Sequence, residues 1–327
     1  MIARTPVILL TGFLGSGKTT LLSNALSQRN FANTAVVINE FGEVSIDHLV
    51  VADLAENIVE LRGGCLCCTI RGDLALTLRD LHQKRYLEDI PAFERVVVET
   101  SGVADPIPLI HTLMANPPLQ QAYYLDAVVC MVDGEHGRRT LAEHATAADQ
   151  VAMADILLVS KVDAVEPTVL AELFTDLRAL NSSAEIIEAV HGRIDPGRLF
   201  DRSLFQPDDR ADNISRWLAA VHAHHDHAAH YMSHLICREE PLSLAGTGVF
   251  LNRVVNEMAD NVLRIKGLVG FREKKGRPAL IHAVQNKFYP LEWLEDWPDD
   301  ERSSRMVFIG RDLDADRIDE LFELLCV

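Results

Sequence analysis

Eight residues near the amino terminus, Gly12-Phe-Leu-Gly-Ser-Gly-Lys-Thr19, satisfy the spacing G-x-x-x-x-G-K-[ST]. The pattern has meaning only between a strand and a helix, which limits what the chain can fold into. Val7–Leu10 before it reads as a short buried strand, and Thr19–Ser27 after it reads as a helix. Gly12, Gly15 and Gly17 allow a tight turn whose N–H groups point inward, with Ser16 between the last two. The following helix start, with Thr19 and Thr20, adds partial positive charge. Lys18 can reach β- and γ-phosphates, and the Thr19 hydroxyl can face Mg²⁺. The bland alternative, a glycine-rich turn without chemistry, does not require those flanks. A nucleoside triphosphate site is expected.

The pattern around the loop continues it. Strands are expected at Val7–Leu10, Ala35–Ile38, Arg95–Thr100, Ala127–Asp133, Ile156–Ser160 and Glu185–Val190. Helices are expected near Thr19–Ser27, Gly72–Lys84, Pro106–Met114, Leu141–Met153 and Pro167–Leu180. This alternation predicts an α/β fold, a P-loop NTPase parallel sheet with helices on both faces. Ligands of such sheets lie at the carboxyl ends of the strands.

From about residue 200 to 233 the apolar rhythm gives way to Asp, Pro, Arg and His, which predicts a linker with a polar helix. A smaller α+β carboxyl-terminal domain follows, with an antiparallel sheet and helices on one face. Its expected strands are His234–Arg238, Lys266–Arg272, Ala279–Tyr289 and Met306–Gly310, and its helices Val249–Leu263 and Ala315–Leu325. The predicted organisation is therefore residues 1–200, a linker at 201–233, and 234–327.

Charge and composition remove several classes of function. The 327-residue chain has 31 Lys+Arg against 48 Asp+Glu, a net charge of −17, so no nucleic-acid partner is expected. No apolar run reaches the roughly 20 residues of a membrane helix, so no membrane partner is expected either. The chain enters its first strand at once, so no signal peptide is expected. Three of six cysteines crowd into Cys65-Leu-Cys67-Cys68, a poor spacing for disulfides. A reducing, cytoplasmic setting is expected.

Two further segments belong to the nucleotide. The strand Val96–Glu99 delivers an acid at its carboxyl end, then Gly102 follows where backbone must approach phosphate. Glu99 is the candidate to orient Mg²⁺ and its water shell, or the attacking water, and the Gly102 N–H to sense a γ-phosphate. A strand ending in a solvated acid is the alternative. Asp133 also ends a strand and reads as structural. Ser160-Lys161-Val-Asp163 stands where GTP-binding proteins carry Asn-Lys-x-Asp. Asp163 can accept from guanine N1–H and N2–H₂, donors adenine lacks, while Lys161 lays its stem along the base. Ser160 in the Asn position shortens or removes the contact to guanine N7.

Metal chemistry has three candidate sources. The thiols of Cys65, Cys67 and Cys68, on a loop opened by Gly63-Gly64, can converge on one soft cation. Zn²⁺ needs four ligands, so Glu43, Asp47, His48 or a partner must supply the rest, unless the cysteines are merely buried and inert. Asn39-Glu40-Phe41-Gly42-Glu43 lies past the second strand, within reach of phosphate and metal. Lastly, His222–His230 holds His224, His227 and His230 at helical spacing, with His234 beyond. Such imidazoles could hold Zn²⁺, Ni²⁺ or Co²⁺ weakly, or form only a polar linker.

Taken together, Gly12–Thr20, Asn39–Gly42, Gly64–Cys68, Glu99–Gly102, Ser160–Asp163, the histidine-rich linker and Met306–Gly310 resemble the CobW family of P-loop GTPases, within it the YjiA-type proteins. The resemblance spans nearly the whole chain. It implies a GTPase domain, a family carboxyl-terminal domain, and metallochaperone work. In that work zinc, or cobalt or nickel, sits on Cys-x-Cys-Cys and passes to a client metalloprotein as GTP hydrolysis gates transfer. Two departures stand out. Ser160 replaces the common Asn, and Ile38 replaces an acid found before Asn-Glu-Phe-Gly in related proteins, leaving Glu40, Glu43 and the thiols as ligands. The rival readings are a zinc store or sensor with structural GTP, and an ATP-dependent hydrolase or kinase. The carboxyl-terminal domain is the expected surface for the client or for a homodimer.

Overall fold

The computed structural model describes residues 4–26, 33–39, 58–60, 69–191, 194, 231–259, 261–298 and 300–326. The chain forms two compact units, Met1–Phe174 with Ile186–Ser203, and Thr175–Glu185 with Leu204–Val327.

The first unit is built on seven strands. They are β1 (Thr5–Gly12), β2 (Thr34–Asn39), β3 (Ile58–Glu60), β4 (Arg95–Thr100), β5 (Tyr123–Asp133), β6 (Ile156–Ser160) and β7 (Glu185–Ala189). Their order is β3-β2-β4-β1-β5-β6-β7, and the paired neighbours from β3 to β6 run parallel. Val96–Val98 and Leu157–Val159 are apolar without alternation because both faces of the sheet are covered. The helices are α1 (Lys18–Leu26), α2 (Thr69–Tyr86), α3 (Ile107–Ala115), α4 (Pro117–Ala122), α5 (Gly137–Glu143), α6 (Ala145–Met153) and α7 (Pro167–Leu180). Leu21, Leu22 and Ala25 of α1 bury themselves against Ile8, Leu10, Val36 and Ile38. After β1 the chain moves outward to β2 and β3, then returns in β4 and crosses to β5. The reversal leaves a crevice beside the carboxyl end of β1.

Two readings of this unit change. One helix expected over Leu141–Met153 is two, because His144 is extended (φ −132°, ψ 104°) and stacks its ring on Phe13 at 4.5 Å. That tertiary contact overrides local helix preference. The short strand β3 and helix α4 are additional elements, too brief to show periodicity.

The second unit contains β8 (Tyr231–Arg238), β9 (Val262–Val269), β10 (Ala279–Val284), β11 (Lys287–Phe288), β12 (Glu292–Trp293) and β13 (Ser304–Arg311). Its sheet runs β11-β10-β9-β13-β8, with β12 paired to β10, and its strand pairs are antiparallel. Helices α8 (Leu244–Glu257) and α9 (Ala315–Cys326) supply Phe250 and Phe322 to a core shared with Ile265, Ile281 and Phe308. Phe250 meets both other rings edge to face.

Three expectations here need correction. The helix expected over Val249–Leu263 starts earlier, capped by Ser243, whose hydroxyl accepts from Gly246 N–H at 3.2 Å. It ends before Val262 and Leu263, which open β9. The strand expected over Ala279–Tyr289 is a hairpin, since Val284 pairs with Lys287 around Gln285-Asn286 and Gln285 has φ +47°. Finally, β8 starts at Tyr231, so His234 is a strand residue and not a helical neighbour of His230; its Nε2 lies 2.8 Å from Asp319 Oδ1.

Candidate nucleotide site

The phosphate loop leaves β1 through backbone that only glycine accepts easily. Gly12 has φ +133°, and a Cβ there would stand 2.3 Å from the Met131 carbonyl oxygen on β5. Gly15 and Gly17 follow at φ +76° and +97°. The loop closes with Ser16 N–H donating to Phe13 C=O at 3.2 Å, and Leu21 N–H to Gly17 C=O at 2.9 Å. Lys18 is buried, and its ammonium donates to the Gly12 and Phe13 carbonyls at 2.7 and 3.3 Å. A positive charge thus rests at the loop rim. Thr20 is exposed on the first turn of α1.

Glu99 meets this loop from the neighbouring strand. Leu10 of β1 pairs with Glu99 in register, and the Thr19 hydroxyl donates to Glu99 Oε1 at 3.2 Å. Residues 80 apart in sequence therefore form one oxygen pair. Beyond Glu99, Gly102 packs directly on the phosphate loop: a Cβ there would lie 2.6 Å from Leu14 N. Thr100 donates to the buried Thr11 hydroxyl at 3.1 Å, tying the strand ends together.

The Ser160–Asp163 loop lies on the other side. Ser160 donates to the Ser16 carbonyl at 2.8 Å and approaches Val132 O at 3.3 Å. A residue expected at the base instead fastens this loop to the phosphate loop. Lys161, left-handed at φ +56°, reaches Asp133 Oδ2 at 2.6 Å. Burial acts to raise the Asp133 carboxyl pKa. The Lys161 ammonium and the N–H groups of His136 and Glu135 outweigh it, holding the group below the usual carboxylate range. Asp163 keeps a partly exposed carboxylate with the exposed His191 imidazole 3.5 Å away. Asn24 of α1 donates to the His191 carbonyl at 2.8 Å. A cavity of about 280 Å³ is lined by Phe13–Ser16, Asp133 and Lys161 among others.

Those residues suit a nucleotide with a divalent cation. The Ser16 and Ser101 hydroxyls are buried and without a hydrogen-bond partner among the described residues, and Gly15 has open space where a Cβ would stand. The Thr19 hydroxyl and Glu99 carboxylate are hard oxygen donors of the type Mg²⁺ prefers.

Lys18, Thr19, Glu99, Gly102, Lys161 and Asp163, all expected from the sequence, lie at the carboxyl ends of β1, β4 and β6. Asp133 reads as structural from the sequence, and its pairing with Lys161 agrees with that. His191, beside Asp163, carries no signal in the sequence, since a lone His follows no motif.

The proposed ligands Cys65, Cys67, Cys68, Glu40, Glu43, His224, His227 and His230 lie outside the described residues. Among the described residues no cluster of three or more His, Cys, Asp or Glu could hold a metal. The described cysteines are also poor ligands. Burial pushes the Cys130 thiol up to about 12 and Cys326 to about 11, and raises Cys237 as well.

Comparison with known proteins now decides the family. The CobW/HypB/UreG nucleotide-binding domain matches residues 6–188, and the cobalamin synthesis protein CobW carboxyl-terminal domain matches residues 231–325. This chain belongs to the CobW family. The zinc chaperone YjiA of Escherichia coli is 34% identical over 316 residues, covering 97% of each chain. The zinc chaperone CobW of Pseudomonas aeruginosa is 29% identical over 358 residues, covering 96% of this chain and 89% of its own. The crystal structure of Zn(II)-bound YjiA GTPase from E. coli superposes with a TM-score of 0.75 at 29% identity, covering 99% of both chains. Both the parallel-sheet unit and the antiparallel unit are thus family features. No helix among the described residues is long and apolar enough to cross a membrane.

Proposed function

We propose that this CobW-family chain is a GTP-hydrolysing zinc metallochaperone in which nucleotide state sets metal affinity. One observation carries the reading. Leu10, Glu99, Ile38 and Glu60 form a single row across β1, β4, β2 and β3. At about 4.8 Å per strand, that row spans only about 14 Å. The phosphate loop leaves β1 just beyond it, the Glu40–Glu43 segment follows β2, and the Cys65–Cys68 segment follows β3. β2 and β3 therefore end on the side of the sheet that carries the phosphate loop, and the two segments proposed to bear metal follow them in the sequence. The names of the relatives, zinc chaperones and a GTPase, agree with this chemistry.

In this reading Lys18 and the loop N–H groups bind the β- and γ-phosphates and offset the charge that grows on the β–γ bridging oxygen. Thr19 and Glu99 would hold Mg²⁺, which neutralises phosphate charge when bound. Water attacks the γ-phosphorus, the bond to the bridging oxygen breaks, and GDP and phosphate leave. Asp163 selects guanine and Lys161 supports the base. Zinc is the cargo, held by Cys65, Cys67 and Cys68 with Glu40 or Glu43, and a client metalloprotein displaces it from that exchangeable shell. Cobalt and nickel suit the same donors. GTP and zinc are then linked, each changing the affinity of the other by one factor.

The test is zinc affinity measured against a competing chelator, with and without a nonhydrolysable GTP analogue. A nucleotide-dependent affinity that disappears in Cys67→Ser supports the mechanism. Equal affinities with and without nucleotide, in wild type and variant alike, remove it.

A further inference from the structure

One fully buried amide touches the phosphate-sensing loop from outside the motifs. Gln150 sits on α6 with no solvent exposure. A primary amide in such a place is costly unless it is hydrogen-bonded. Its Nε2 donates to the Ala104 carbonyl at 3.0 Å and to the Gly102 carbonyl at 3.3 Å. Two carbonyl acceptors require the nitrogen there, which fixes the orientation of the amide.

The bonds complete a small frame. Ala104 N–H donates to Ser101 C=O at 3.1 Å, fixing the peptide that bears the Gly102 N–H. Gln150 fixes the next peptide through the Gly102 carbonyl, and one further on through Ala104. Gly102 itself lies against Leu14. His144, at the N-cap position of the same helix α6, stacks on Phe13. One helix thus contacts the phosphate loop at its start and the sensing loop in its interior.

We propose that Gln150 is a positioning residue for γ-phosphate recognition, aiming the Gly102 N–H so that a triphosphate engages it and a diphosphate does not. The proposal rests on the reading of Gly12–Thr19 as the GTP site. The two described hydrogen bonds of Gln150 go to the Gly102 and Ala104 carbonyls and none to Lys18, Thr19 or Asp163, so its loss is expected to weigh most on the third phosphate.

Gln150→Leu and Gln150→Met keep the bulk and remove the donor. The measurement is titration with a fluorescent GDP and with a nonhydrolysable GTP analogue, both with Mg²⁺, alongside thermal unfolding. The expected result is a loss of about tenfold in triphosphate-analogue affinity with GDP affinity within about twofold of wild type. A purely structural role predicts equal losses for both nucleotides together with a lowered Tm, and that result overturns the proposal, as does no change in either. Wild type that binds neither guanine nucleotide overturns the parent reading, and this one with it. A second measurement needs no variant. In isotope-labelled wild type, the Gln150 side-chain NH₂ resonances should differ between the GDP and triphosphate-analogue complexes, and identical resonances refute the inference.

Discussion

Two neighbours of β1 carry an acid at their carboxyl ends, and the two acids have different partners. Glu99 on β4 accepts a hydrogen bond from the Thr19 hydroxyl. Asp133 on β5 is paired with the Lys161 ammonium and two backbone N–H groups. A carboxylate already neutralised by lysine is a poor magnesium ligand; one facing a hydroxyl is a good one. The same residue class at the same kind of strand end therefore faces the Thr19 hydroxyl on one side and fixes loop geometry on the other. Partner chemistry, and not position, assigns the role.

Substitutions can break or sharpen that contrast. The largest loss is expected on the phosphate side. Lys18→Ala should lower GTP turnover by about a thousandfold, measured by phosphate release, with zinc binding by the nucleotide-free protein retained. Glu99→Gln should lower turnover by about a hundredfold and weaken its magnesium dependence. If Asp133→Asn were to match that loss, the contrast would fail.

On the base side the effects concern selectivity. Asp163→Asn should cost about a hundredfold in GTP affinity and favour xanthosine triphosphate, since the new amide donates where guanine needs an acceptor. Competition titration reads this directly. Asp133→Asn should cost about 1 kcal/mol of stability at neutral pH, because Lys161 is partly exposed and its pairing is screened. The folded Asp133 pKa is lowered, so its stabilisation is present in full above the ordinary carboxylate pKa of about 4. It is lost as pH falls through the folded value. The Tm difference between wild type and Asp133→Asn should accordingly shrink under acid. Ser160→Ala should be mildest, about threefold in nucleotide affinity, through loss of its tie to Ser16.

The fold was legible wherever burial left a strong pattern. Arg95–Thr100, Ile156–Ser160 and Pro167–Leu180 have the bounds their sequences predict, since apolar runs there end at clear turn or cap residues. What escaped depended on contacts far along the chain. His144 breaks a helix because Phe13 offers it a ring, and no local signal marks that. The start of α8 was obscured by Gly246, whose missing Cβ makes room for the Leu325 carbonyl. In the site, motif residues were readable because phosphate chemistry fixes their spacing. Ser160 was identified by position, yet its bond to Ser16 needed coordinates. Gln150 was invisible, since a glutamine on a helix ordinarily faces water.

The contact between Gly102 and Leu14 has a wider consequence. The Leu14 backbone nitrogen and the Leu14 Cδ2 both lie 2.6 Å from where a Cβ on Gly102 would stand. One added methyl at position 102 would wedge the two segments apart, because it would meet both the backbone and the side chain of Leu14.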